Sequence, residues 1–171
     1  MYFKQIEEIL EGQKTQTRRV VKPGEKLVSK ARPRYWHPCV VQGRRIKWQV
    51  GRDYAVSPGR GKQGLWWRQM DTGNYQALGG EHRDRMLDGW KPLRIRITGI
   101  RQERLQDISE ADAIAEGLRP VDGFAFLDAP VAPGDIVTAR DQYRDLWNSI
   151  NGKGAWDKNV LVWVLEFVVV R

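Results

Sequence analysis

The twelve residues "NVLVWVLEFVVV" (159–170), one short of the end of this 171-residue chain, constrain its fold more than any other stretch. Valine, leucine and aromatic side chains dominate it, and these suit a pleated strand. Apolar residues occupy both alternating faces, so the run predicts a strand covered on both sides, central in its sheet. Glu166 interrupts it well short of the ~20 apolar residues that a membrane-spanning helix needs. A strand buried on both faces needs neighbours. "LRIRITGI" (93–100) supplies one, with Leu93, Ile95 and Ile97 alternating against Arg94, Arg96 and Thr98. That is the pattern of a half-buried strand with a basic outer face.

The remaining signals are shorter. Phe3, Ile6 and Leu10 recur at helical spacing, which predicts a helix over 2–11 ended by Gly12. "TQTRRVV" (15–21) reads as a strand with Thr15, Thr17, Arg19 and Val21 on one face. Residues 22–45, rich in Pro, Gly, Lys and Arg, read as an irregular loop, and 71–92 as a loop or insertion. Short strands are expected at 45–50, 53–56 and 65–70, and a turn plus strand at 133–140. In "DISEADAIAEGL" (107–118), Ser109 and Asp112 form a capping box ahead of the stripe Ile108, Ala111, Ile114, Ala115 and Leu118. "DQYRDLWNSING" (141–152) places Tyr143, Leu146, Trp147 and Ile150 on one helical face. The sum predicts one α+β domain, a small β-barrel or curled sheet of short, mostly antiparallel strands with about three short helices.

Charge narrows the partner. The chain carries 29 Lys and Arg against 21 Asp and Glu, and between Lys14 and Arg52 twelve basic residues face a single acid, Glu25. A block this one-sided points towards a polyanion, nucleic acid first, although a basic solvated surface gives the same count. One cysteine (Cys39) and two histidines (His37, His82) leave neither a disulfide framework nor a zinc site. No secretory segment precedes the first helix, so a cytoplasmic protein without membrane or metal partner is expected. Any catalysis then falls to carboxylates, hydroxyls or lysine, with no cofactor called for. The sequence leaves the oligomeric state open.

Several residues are candidates for a site. "GRGKQG" (59–64) spells G-x-G-x-x-G, yet "LWWRQ" follows it where a dinucleotide fingerprint needs a helix, so it reads as a glycine-rich loop. Of eight tryptophans, periodicity assigns Trp147 and Trp163 to the core, while Trp36 and Trp48 lie within the basic block and are candidates to stack on a base. In the Trp66–Trp67 pair one ring must face away from the other. Glu116 sits in the last turn of its helix, where the dipole disfavours an anion, a placement that suits a carboxyl doing acid/base work. The segment "GQKTQTRR" (12–19) concentrates Lys14, Thr15, Thr17, Arg18 and Arg19 directly after a helix end. Alone, it is equally a basic edge strand and a site.

The pattern Gly12-x-Lys14-x-x-Thr17-x-Arg19 resembles the G-x-K-x-x-[E/T]-x-R signature of the ASCH domain, a β-barrel related to the RNA-binding PUA domains. "RLQDISEADAIAEGL" (104–118) resembles the second signature helix of that family. "YRDLW" (143–147) and "GAWDKNVLVWVLEFVVV" (154–170) are similar to the Trp-rich helix and closing strand of phage and prophage members. The G-D-x-L-W-V-R-E strand of the family is only partly echoed by "GLWWRQ" (64–69) and "GDIVTAR" (134–140), and residues 22–92 form an enlargement within the single domain, 1–171. One branch of the superfamily removes the acetyl group from 4-N-acetylcytidine. That resemblance implies Thr17 as nucleophile, Lys14 as general base and Glu116 as acid/base, with Thr15, Arg18, Arg19, Trp36 and Trp48 as candidate substrate contacts. It therefore implies an amidohydrolase acting on an acylated nucleoside. The alternatives are a non-catalytic nucleic-acid-binding module, RNA ahead of DNA, and a phage structural or assembly protein.

Overall fold

The computed structural model describes residues 6–29, 36–56, 65–69, 75–78, 90–119, 121–122 and 136–170. Its spine is the closing strand β12 (Leu161–Val170), which lies between β1 (Gln16–Val20) and β9 (Arg94–Arg104) in a four-stranded sheet completed by β5 (Asp53–Ala55). All three pairings are antiparallel. The expectation of a central, two-sided strand holds, and the two faces bury different clusters. Val162 and Val164 pack with Leu105, Ile108, Ala113, Tyr143, Trp147 and Trp156, beneath the helices. Trp163 and Leu165 pack on the other face with Val40, Trp48 and Ile97. Each large side chain so buried stabilises by roughly 1.5–3 kcal/mol, which is why the run tolerates so little polarity.

Along β9 and the residue before it, Leu93, Ile95 and Ile97 are buried while Arg94, Arg96 and Thr98 are exposed, as their alternation requires. Glu166 pairs with Gly99 and Phe167 with Ile97, so the register shifts by one residue there. The bulge places the Glu166 carboxylate directly over Gly99, where a Cβ would collide with it.

Residues 22–45 are not all loop. They contain β2 (Glu25–Val28) and β3 (Cys39–Gln42), which with β4 (Arg45–Gln49) form a three-stranded sheet in the order β2-β3-β4. Short strands of four residues, embedded among Pro, Lys and Arg, carry too little periodicity to register as strands. Gly43, at φ 58°, makes the turn between β3 and β4. A buried carboxylate ties this sheet to the central one. Glu25 accepts from Trp163 Nε1 at 2.7 Å and from the Lys22 amide at 3.0 Å, and pairs with Lys47. Lys47 in turn sits 4.1 Å from the Trp48 ring centroid.

The presumed insertion at 71–92 likewise contributes β7 (Tyr75–Leu78) and β8 (Trp90–Pro92), which flank β6 (Leu65–Gln69). Two-residue strands β10 (Val121–Asp122) and β11 (Ile136–Val137) pair with each other. The glycine-rich segment 59–64 and the Trp67 side chain lie outside the described residues. Trp66 is half-buried, with its Nε1 enclosed and without a hydrogen-bond partner among the described residues. No closed barrel forms among the described residues, which make antiparallel sheets and three α-helices.

Those helices are α1 (Ile6–Leu10), α2 (Glu110–Ala115) and α3 (Ala139–Asn151). The Ser109 side chain accepts from the Asp112 amide at 3.1 Å, the cap expected from the sequence. The expected stripe is buried only at its two ends, where Ile108 lies in the cluster under the helices and Leu118 packs against it. Ala113 is buried, whereas Ala111 is exposed and Ile114 is 43% exposed. The helix spans only six residues, Glu110–Ala115, so Ile108 and Leu118 lie outside it and a helical phase carried over 108–118 does not apply. Helix α3 starts earlier than expected, capped by Thr138, and buries Tyr143 and Trp147 while leaving Ile150 exposed. No helix of the described residues is long and apolar enough to cross a membrane.

Candidate functional site

The strand β1 lies at the edge of the central sheet, and the end of α2 closes against its beginning. Gly12, at φ 75°, ends α1 and turns the chain. The Lys14 amide then donates to Glu8 O at 2.8 Å, and the Thr15 amide to Ala115 O at 2.9 Å. Lys14 and Glu116 form an isolated antiparallel bridge. Directly afterwards Gly117 adopts φ 92°, and a Cβ there would lie 3.2 Å from the Cβ atoms of Lys14 and Glu8. The glycine serves two needs at once, a left-handed backbone and close approach.

This docking aligns two side chains separated by 102 positions in sequence: Lys14 Nζ donates to Glu116 Oε2 at 2.8 Å and also to the Glu116 carbonyl oxygen. The two residues are 5% and 3% exposed. Burial at this level makes the pairing obligatory, because either charge alone would be strongly unfavourable.

The next even-numbered side chains of β1 extend the site. Arg18, with a fully buried side chain, donates from Nε and Nη2 to Glu103 at 3.0 and 2.6 Å. Its Nη1 donates to Gln16 at 2.9 Å and to Glu116 at 3.3 Å, and its Nη2 lies 3.2 Å from Asp112. Arg101 joins from β9, bound to Glu103 at 3.1 Å, Asp112 at 2.8 Å and Glu166 at 2.5 Å. Gln16 adds a hydrogen bond to Asp112 at 3.1 Å. Cations from β1 and β9 thus interleave with carboxylates from β9, β12 and the α2 region. Burial pushes the Asp112 carboxyl up, but hydrogen bonds from Gln16 and Arg101 and the charge of Arg18 win, holding it below the usual carboxylate range.

Strand alternation sends Thr17 and Arg19 towards the other face. Their Cα partners on β12 are Leu165 and Trp163, both members of the cluster beneath the β2–β4 sheet. Thr17 is buried and makes no side-chain hydrogen bond to a described residue; both Lys14 Nζ bonds go to Glu116, none to Thr17. Arg19 turns back at the open edge and donates to Arg18 O at 3.1 Å. Thr15 is exposed. The structure therefore joins Lys14 and Glu116 from the expected set and makes Arg18 their charged neighbour, where the spacing had pointed to Arg19. Trp48 is a core residue at 8% exposure with Lys47 over its ring, whereas Trp36 is 75% exposed.

Sequence reasoning did not connect Gln16, Arg101, Glu103 or Asp112 with the site. The only available signal was the density of alternating charge in "RIRITGIRQER" (94–104), which a solvated strand face explains equally well. Among the described residues no group of three or more His, Cys, Asp or Glu is arranged to hold a metal ion. In comparisons with known proteins, the chain matches no family model, curated protein or solved structure at a significant level.

Proposed function

We propose that this chain is an ASCH-like domain of the PUA-like superfamily, with its sheets forming parts of that barrel. It binds a nucleoside or nucleic acid at the open edge of β1, and its chemistry is deacylation of an N-acylated cytidine or a related modified base. The observation that supports this is the Lys14–Glu116 pair. The two segments carrying the resemblance, 12–19 and 104–118, meet through the very side chains to which it assigns proton transfer.

In this reading the Lys14 ammonium first passes its proton to the paired Glu116 carboxylate, leaving a neutral amine and a carboxylic acid. The Thr17 hydroxyl oxygen then adds to the acyl carbonyl carbon while Lys14 takes the Thr17 proton. The tetrahedral intermediate collapses with cleavage of the C–N bond, Glu116 protonates the departing cytosine amine, and water releases the acyl group from Thr17. The step requires Lys14 Nζ to swing from Glu116 towards Thr17. A lysine side chain has the rotatable bonds for this, and substrate entry at the β1 edge supplies the occasion.

The test is to incubate the protein with 4-N-acetylcytidine and follow cytidine by mass spectrometry, alongside Lys14→Ala, Glu116→Gln and Thr17→Ala. Turnover by wild type that drops to background in all three variants is expected. Turnover unaffected by Glu116→Gln removes the pair from the chemistry. Background turnover by wild type itself rejects deacylation of this substrate.

A second reading, binding without catalysis, draws on a different observation. Lys26, Arg44 and Arg45 are exposed on the β2–β4 sheet, and Trp36 precedes β3 almost fully open to solvent. It predicts affinity for single-stranded RNA that falls steeply with salt and weakens in Trp36→Ala. Salt-independent binding, or none, refutes it.

A further inference from the structure

Two tight turns lie side by side at one corner of the β2–β4 sheet. One leads into β2 through Pro23 and Gly24, and the other joins β3 to β4 through Gly43 and Arg44. The strand register fixes their neighbourhood: Glu25 stands opposite Gln42, and Gln42 opposite Arg45. Gln42 Nε2 also crosses to the first turn and donates to Pro23 O at 3.1 Å. With neighbouring strands about 4.8 Å apart, the two turns lie within roughly 10 Å of each other. Both are open. Gly24 and Gly43 adopt φ 78° and 58°, and a Cβ on either would meet nothing within 4 Å among the described residues. Lys22, Lys26, Arg44 and Arg45 surround these glycines and are all exposed.

The acid of this region points the other way. Glu25 is the only Asp or Glu between Lys14 and Arg52. Its carboxylate is fully buried and turned inward, to Trp163 Nε1, the Lys22 amide and Lys47. The two turns therefore present lysine and arginine outward while their own carboxylate is occupied inside the fold. Cations gathered around open glycine turns suit the oxygens of phosphate groups.

The corner is also a continuation of β1. Lys22 follows that strand directly, and pairing with β12 keeps the chain extended up to it. The Phe167 amide donates to Thr15 O at 2.8 Å at one end, and the Val21 amide to Leu161 O at 2.9 Å at the other. At about 3.3 Å per residue, Lys22 lies roughly 26 Å along the strand from Lys14. A single nucleoside held at the Lys14–Glu116 pair does not reach the turns, whereas a chain of nucleotides does. Arg19, half-buried, lies between the two ends at the same edge.

We infer that the turns at Lys22–Lys26 and Gly43–Arg45 seat phosphates of a single-stranded RNA whose chain runs along the β1 edge to the Lys14–Glu116 pair. The inference rests on the deacylation reading for the role of that pair, and it narrows the substrate from a nucleoside to a modified base within a polymer. Cytidine is a ribonucleoside, so the polymer is RNA. A single strand is required, because a duplex hides the N4 position of cytosine in its base pair.

The test measures binding and turnover separately. Fluorescence anisotropy of an unmodified single-stranded RNA of about 12 nucleotides is followed across a salt series. Each phosphate contact on a single strand contributes about 0.7 to the slope of log K against log[salt]. Arg44→Gln/Arg45→Gln is therefore expected to bind more weakly with a slope shallower by roughly 1.4, and Lys22→Gln/Lys26→Gln to do the same. The four side chains are exposed, so both variants are expected to unfold at the urea concentration of wild type. An unchanged slope in both, or no binding by wild type, overturns the seat. Equally tight binding to vesicles of anionic phospholipid, lost in the same variants, overturns its assignment to RNA. In the turnover arm, kcat/KM is expected to be roughly 10-fold or more higher for 4-N-acetylcytidine within the RNA than for the free nucleoside. Equal values overturn the polymer and leave deacylation standing. Salt-dependent RNA binding that falls in the variants, without turnover of either substrate, rejects deacylation and keeps the seat.

Discussion

Replacing Arg18 with methionine tests whether the buried charge network holds the β1 edge together. Methionine keeps much of the arginine stem's volume, so the change is chiefly the loss of a guanidinium bonded to Glu103, Gln16 and Glu116 and close to Asp112. Breaking a buried ion pair from one side costs about 3–5 kcal/mol, because the remaining charge stays buried without compensation. Here each carboxylate retains a second partner: Glu103 and Asp112 keep Arg101, and Glu116 keeps Lys14. The lower end, about 3 kcal/mol, is therefore expected at pH 7, a large part of a typical 5–15 kcal/mol stability. With a urea dependence of about 2 kcal/mol per molar, the unfolding midpoint falls by roughly 1.5 M. The pH dependence has a definite sign. The Asp112 carboxyl is held below its unfolded value partly by Arg18, so its contribution is present above about pH 4 and is lost as pH falls through the folded value. Losing Arg18 removes part of that contribution, and the gap between wild type and variant narrows towards acid. Urea unfolding at pH 7 and at about pH 3, below the unfolded carboxyl's value, reads both effects. A loss under about 1 kcal/mol at pH 7, or a gap that widens on acidification, refutes the claim that these charges are coupled in the folded state.

Two other perturbations probe the parts that carry the site. Gly117→Ala combines a left-handed backbone with a Cβ 3.2 Å from those of Lys14 and Glu8, so it is expected to destabilise by roughly 1–3 kcal/mol and to displace Glu116 from Lys14. Urea unfolding together with turnover measures both, and wild-type stability would show that the tight junction is absent. Glu25→Gln tests the link between the two sheets. Burial raises the Glu25 carboxyl, but hydrogen bonds from the Lys22 amide, Lys47 and Trp163 overcome this and hold it low. Its stabilisation is present above about pH 4.5 and disappears as pH falls through the folded value. The variant should lose roughly 1–3 kcal/mol at pH 7 and less at pH 3.5, while equal losses at both would place the effect in packing rather than charge.

How much of the molecule was legible in the sequence depends on the scale at which each feature is encoded. The central strand announced itself because twelve consecutive residues must satisfy two hydrophobic faces, and the Ser109 cap because its geometry is local. Strands β2 and β3 were not legible: four residues make barely two alternations, and their burial is decided by Trp163 and Ile97 on other strands. The site divides in the same way. A short motif pointed to Lys14 and Glu116, but its arginine was Arg19, whereas the one bonded to Glu116 is Arg18. Nothing local says which parity of a strand faces which layer, and a one-residue change of parity exchanges Arg18 for Arg19 and Thr17 for Gln16. Here the parity is fixed by β12, whose Val164 opposite Arg18 faces the helices while Leu165 opposite Thr17 faces the β2–β4 sheet. Arg18 is thereby committed to carboxylates from β9 and the α2 region, and a residue so occupied serves a site by holding Glu116 in place.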